Sequence, residues 1–167
     1  ISSNSTGMVH SEQMLPLGGK LALLGDAQKG FTLKNTSEVT IQDVGVFRRA
    51  EDSSAIQTAF VAKIEPDTTV PLRFEPLAGE KPWLPEWDKT GVFAPEGSAV
   101  PADEKGRVRL TRLARLAVER LRLLPGEVRL VGWTDEALPG VEIRPAAPQN
   151  STYTLVLAHL VRGTLPR

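Results

Sequence analysis

Apolar and polar side chains alternate with period two through much of residues 20–75. Ile56, Thr58, Phe60, Ala62 and Ile64 interleave with Gln57, Ala59, Val61 and Lys63, and Val70, Leu72 and Phe74 interleave with Pro71, Arg73 and Glu75. Such alternation sends one set of side chains to a core face and predicts strands. Val39 and Ile41 share one phase, whereas Val44 and Val46 share the other. The slip at Gln42-Asp43 predicts a β-bulge or a tight turn. Lys20 to Leu24 and Gly30 to Lys34 are shorter candidate strands, split by Gly25-Asp26.

The pattern stops between Glu75 and Glu104, where five of the thirteen prolines fall: Pro76, Pro82, Pro85, Pro95 and Pro101. A connection this long inside a domain is usually functional or disordered. Helical periodicity then takes over from Arg109 to Leu124. Leu110, Leu113, Ala114, Ala117, Leu121 and Leu124 form one stripe, Arg112, Arg115 and Arg122 lie opposite, and Pro125-Gly126 ends the helix. The stripe predicts burial of Leu113, Ala117 and Leu121, but it leaves Leu116 and Leu123 on the arginine side.

Three closing strands follow, at Val128 to Trp133, Val141 to Arg144 and Thr152 to Val161. In the last, Tyr153, Leu155 and Leu157 occupy one phase and Val156, Ala158 and Leu160 the other. A strand apolar on both faces is normally central and covered on both sides, and the helix is the natural second cover. The resulting expectation is a mainly β fold: a β-sandwich of about eight or nine strands with one amphipathic helix packed on a sheet. We read 1–167 as a single domain, with a strand-rich part (1–75), a proline-rich acidic loop (76–104), the helix (109–124) and closing strands (127–161).

Residues 31–75 resemble the immunoglobulin-like or fibronectin-like modules of bacterial envelope and surface proteins. The stretches that carry the resemblance are Phe31-Thr-Leu-Lys-Asn-Thr, Val39-Thr-Ile-Gln-Asp-Val-Gly-Val-Phe and Ile64-Glu-Pro-Asp-Thr-Thr-Val-Pro-Leu. Asp67 stands where such modules usually have glycine. The resemblance implies a sandwich and an extracytoplasmic (periplasmic or cell-surface) setting, not an activity.

Composition adds exclusions. Hydrophobic content of 41% and charged content of 24% are those of a globular chain. Twenty basic and twenty acidic residues cancel, which argues against a dedicated nucleic-acid binder. The absence of cysteine removes disulfides, thiolate metal sites and cysteine nucleophiles. No apolar run approaches the ~20 residues that span a bilayer. The start at Ile1 rather than Met suggests a processed protein or a fragment excised from a longer one; that the whole is membrane-anchored is a separate expectation. Asn-x-Ser/Thr occurs at Asn4, Asn35 and Asn150, and these are read as ordinary polar turns.

Four groups of residues could carry function. Asp135 and Glu136 follow Trp133 at a strand end and could act as acid and base or hold a hard cation; a solvated turn is the simpler reading. His159 could join them in a hydrolase, but a core or edge histidine is expected. With only His10 besides, no multi-histidine metal site, and indeed no metal or cofactor, is expected. Trp83 and Trp87 could stack on sugars or grip proline-rich peptides, or fold back and pin the loop. Finally, Lys105 to Arg122 carries seven bases and one acid, and Glu75 to Glu104 seven acids and two bases. The basic helix could meet lipid or a nucleic-acid backbone, but the acidic loop is expected to dock on it, with Trp83 or Trp87 against an arginine. The function this implies is a non-catalytic extracytoplasmic interaction or spacer module with a protein or glycan partner. A carbohydrate-binding module is the alternative and a hydrolase the second. Trp83, Trp87, Trp133, Asp135, Arg112 and Arg115 are the candidate binding residues.

Overall fold

The computed structural model describes residues 14, 16–77, 83–90, 92–93, 110–119, 123–136, 138 and 153–163. Among them are nine strands and one α-helix: β1 (Leu21–Asp26), β2 (Gly30–Asn35), β3 (Ile41–Arg49), β4 (Ile56–Ile64), β5 (Thr69–Leu72), β6 (Glu75–Pro76), α1 (Thr111–Glu119), β7 (Val128–Thr134), β8 (Thr154–His159) and β9 (Val161–Gly163). They form two sheets, β5-β2-β1-β9 and β6-β4-β3-β7-β8. Every pairing is antiparallel except β1 with β9. The β-sandwich with a helix on one sheet is therefore the fold, and the strand count is at the upper end of the expected range.

The chain changes sheets four times over short connections, from β2 to β3, β4 to β5, β5 to β6 and β8 to β9, and the last two are the shortest. β5 belongs to the first sheet and β6, three residues on, to the second; β8 and β9 are separated only by Leu160. Between the sheets lies one core, built from Leu23, Leu33, Ile41, Val44, Val46, Ala59, Ile64, Leu130 and Val156 among others. At one end Arg48 lies 4.3 Å over the Phe31 ring and 4.6 Å over Phe74, and those rings meet edge to face at 5.4 Å.

The phase slip at Gln42-Asp43 is a bulge. β3 pairs with β7 at Gln42↔Trp133 and next at Gly45↔Val131, so β3 carries one residue more than its partner there. Asp43 is the residue that bends, with φ 48°, a left-handed conformation that Asp tolerates better than most. The bulge lets Ile41, Val44 and Val46 all reach the inter-sheet core despite their mismatched phases.

Three sequence expectations need correction. The first hairpin turns at residues 27–29, after Gly25 and Asp26 have already completed β1, because Asp26 Oδ1 accepts the backbone N–H of Gln28 (2.9 Å) and Lys29 (2.8 Å) and closes the turn there. The segment Thr154–His159 is not central. Among the described residues it is the edge strand of the five-stranded sheet, and β3 and β7 are the buried strands. Its two apolar phases arise because Val156, Ala158 and Leu160 face the sandwich core while Tyr153 and Leu155 reach a second one. Leu157 remains 47% exposed.

The helix, too, turns a different face inward. Its buried line is Leu110, Ala114 and Val118, with Thr111; Leu113 and Ala117 are only half-buried at its flank. These three lie at i, i+4 and i+8, and the sheet beneath selects them from a helix whose leucines occur nearly all round. Leu123 and Leu124 lie beyond the helix, Leu123 buried and Leu124 62% exposed, and Leu116 is 49% exposed. Leu121, the 141–144 strand, His10, Asn4 and Asn150 lie outside the described residues.

Candidate functional site

The outer face of the five-stranded sheet is covered by parts of the 83–124 segment, and the second core forms in between. Phe47, Val131 and Trp133 from the sheet meet Leu84, Trp87, Val92, Phe93, Leu110, Ala114, Val118 and Leu123 from the cover. Trp87 is fully buried at its centre. It sits directly over Gly45, where a Cβ would come within 2.5 Å of the indole and 2.6 Å of Leu84. Only glycine lets the tryptophan approach β3 this closely.

Both buried indoles bond to the bulge. Trp87 Nε1 donates to the Asp43 carbonyl at 2.8 Å, and Trp133 Nε1 donates to the Asp43 carboxylate at 2.6 Å. A single kinked residue thus satisfies two N–H groups that burial would otherwise leave costly. Asp43 was visible in the sequence only as a phase slip, with nothing to mark its carbonyl as the anchor of the cover or its carboxylate as the acceptor of the Trp133 indole.

Trp83 is half-buried beside this core. Its ring meets Trp87 edge-on at 4.9 Å and Phe93 at 6.5 Å, its Nε1 donates to Asp88 at 2.8 Å, and Arg115 lies over it at 5.2 Å. Here the expected stacking of a loop tryptophan on a helix arginine is present. Arg115 and Arg112 are both exposed on α1. Trp87 and Trp133 (4% exposed) present no free face to a ligand, so of the three candidate tryptophans only Trp83 borders open space.

That space is a crevice of about 300 Å³. Thr58, Ala59 and Phe60 of β4 line it, with Pro76 and Leu77 to one side and the run from Trp83 to Glu86 on the other. Arg73, Glu75 and Glu86 supply charge, and Arg73 Nε already pairs with Glu75 at 3.3 Å. Three separate stretches of the chain converge here because β6 pairs with β4 and the cover folds back over the sheet.

The acidic turn is put to structural use. Glu136 Oε1 accepts the Thr40 N–H at 2.9 Å and Asp135 Oδ1 accepts from the Gln42 side chain at 3.1 Å, tying the end of β7 to the start of β3. His159 is exposed at the opposite end of the β7–β8 ladder, facing Arg129, whereas Thr134 faces Thr154. Five residues of strand put about 17 Å between those ends, so His159 and the two carboxylates do not form one site. Among the described residues no group of three or more His, Asp or Glu is arranged to hold a metal ion.

Asn35 is fully buried, and its amide is wholly committed. Nδ2 donates to the carbonyls of Val39 (2.9 Å) and Glu65 (3.1 Å), and Oδ1 accepts from Ser37 N (2.9 Å) and Ser37 Oγ (2.6 Å). In the folded chain it is a structural clamp between two turns rather than a glycan acceptor. The turn that leads into β7 is held in a similar way. Glu127 accepts the Leu124 N–H at 3.0 Å, and that bond, more than nearby Arg129, lowers its pKa below the ordinary value. Comparison with protein-family models, curated proteins and solved structures returns no match.

Proposed function

We propose that the chain is a non-catalytic interaction or spacer module of a larger bacterial protein, working outside the cytoplasm. The observation that carries this reading is the contrast between the two kinds of polar site. Asp135 and Glu136 are spent on joining β7 to β3, while open space occurs beside a fixed tryptophan and two prolines. The immunoglobulin-like part of the reading draws support from strand order. β4-β3-β7-β8 corresponds to C′CFG, and β5-β2-β1 to EBA, in the nomenclature of that fold. On this assignment the cover that includes α1 is an insertion between the E and F positions.

A second reading, glycan binding, is favoured by one feature: Trp83 borders the crevice together with Glu75 and Glu86, and an aromatic wall with carboxylates suits sugar rings. A photo-crosslinker placed at Glu86 in intact cells separates the two. A discrete protein adduct that disappears in Trp83→Ala is expected. A saturable, Trp83-dependent fluorescence change on titration with oligosaccharides, without a protein adduct, would transfer the site to the glycan class. Hydrolytic turnover abolished by Glu136→Gln would overturn both.

A further inference from the structure

We infer that the crevice beside Trp83 receives an extended peptide, which continues the β4–β6 ladder along the edge of β4 beyond Thr58 and sets one apolar side chain against Trp83. The inference rests on the interaction-module reading and names the chemistry of the partner.

β4 is nine residues long, but β6 pairs with it only at Gln57 and Thr58. Beyond Thr58, no strand among the described residues pairs with that edge. The Leu77 N–H donates to the Ile56 carbonyl at 2.9 Å, and this bond fixes the alternation of the edge. Backbone groups of residues 56, 58 and 60 point toward β6, and those of 57 and 59 toward β3. The N–H and C=O of Phe60 therefore face outward where β6 stops, and Phe60 is one of the residues lining the crevice. A backbone donor and acceptor on one residue, next in register after a formed ladder, is what an added strand pairs with.

The crevice supplies the second requirement, a pocket for a side chain of the added strand. At about 300 Å³ it is at the small end of ligand sites, enough for one anchor and the main chain that carries it. Trp83 is already held by Trp87, Asp88 and Arg115, so little side-chain freedom is lost when a partner packs on it. The same contacts argue for a peptide over a sugar. The indole N–H of Trp83 is engaged, and so is the Arg73–Glu75 pair, while the outward backbone of Phe60 matches another backbone. Counting Arg73, Glu75 and Glu86, the lining carries one net negative charge, which favours a basic residue beside the apolar anchor.

The test selects random octapeptides displayed on phage against the whole chain and then synthesises the enriched sequence. Binding should slow hydrogen exchange at the Phe60 amide. Methylating alternate peptide amides should weaken binding about tenfold or more, as should Trp83→Ala. The methylated peptide needs no change to the protein, so it decides the matter even if Trp83→Ala disturbs the cover, which α1 amide exchange would reveal. An enriched peptide indifferent to methylation and to Trp83→Ala would overturn the edge-pairing model and leave the interaction-module reading standing. No enriched peptide would also overturn it, and the Glu86 crosslink would then judge the module reading on its own.

Discussion

The two cores of this protein are built on opposite faces of one sheet, and they are built differently. The inter-sheet core is aliphatic: Leu, Ile and Val dominate it, with Phe31 near one end. Its members sit on strands whose backbone ladders fix where each side chain goes. The outer core is aromatic: Phe47, Trp87, Phe93 and Trp133 are its largest members. Among the described residues its cover is joined to the sheet by a few polar bonds, chiefly the Trp87 indole bond to the Asp43 carbonyl at 2.8 Å and the Arg49 Nη1 bond to the Leu123 carbonyl at 3.3 Å. A ladder holds position through many backbone bonds, while a cover without one needs large, shaped side chains and a few directional bonds.

The contrast predicts two tiers of stability, and the largest substitutions test it. Trp87→Ala should cost about 3–5 kcal/mol and Leu130→Ala about 2–5 kcal/mol, since both empty fully buried sites. The magnitudes overlap, but the reach of the damage should not. Leu130→Ala should speed exchange at all the slow amides together. Trp87→Ala should speed exchange first in α1, with β2 and β3 still protected, because the cover opens without the sandwich. Native-state hydrogen exchange on both variants reads this directly. Equal acceleration in α1 and β2 for Trp87→Ala would mean that the cores are one cooperative unit.

How far the sequence foretold each core follows from the same difference. The sandwich was legible because alternation is local: the pairing of β4 with β3 can be anticipated from Ile56 to Ile64 and from the slip at Asp43. The face of α1 was not, because a sequence with leucine at 110, 113, 116, 121, 123 and 124 offers several apolar stripes, and the sheet chooses among those that α1 carries. β8 misled for a related reason. It contributes to both cores and then crosses to the other sheet at Leu160, so it reads as central while lying at an edge. The crevice was invisible since Thr58, Pro76 and Trp83 meet only through pairing and cover. The stacking of Trp83 on a helix arginine, by contrast, followed from the opposite charge of neighbouring segments.

The bulge is where the tiers join, and its expected effect is intermediate. Asp43→Ala removes the acceptor of the Trp133 indole and puts a residue less tolerant of left-handed φ at 48°. A buried donor left without a partner costs about 1–3 kcal/mol. Asp43→Asn keeps an acceptor and a side chain that tolerates this conformation, so it should cost less, about 0.5–1.5 kcal/mol. Denaturant midpoints of the two variants give the comparison. If alanine and asparagine cost the same, neither an acceptor for Trp133 nor side-chain tolerance of left-handed φ contributes, and the joint rests on the Asp43 carbonyl bond to Trp87.

The smallest effect belongs to the outermost contact of the cover, Arg115 over Trp83 at 5.2 Å. A guanidinium above an indole at a partly exposed site contributes about 0.5–1 kcal/mol. Arg115→Gln should therefore lower stability only within that range, and Trp83→Phe should weaken the same attraction because the smaller ring is a poorer partner. The pair energy is isolated by combining the two: in the double variant the losses should fall short of additive by about 0.5 kcal/mol. Part of the single loss should fade in high salt if it comes from the opposite charges of the acidic cover and the basic helix, since screening at 1 M acts beyond about 3 Å. The contact between cation and ring face is shielded on one side by the ring itself, so the double-variant coupling should persist. A coupling near zero at both salt concentrations would make Arg115 and Trp83 mere neighbours. The cover would then be held by Trp87, its apolar neighbours and the bulge alone, with the basic face of α1 contributing nothing to it.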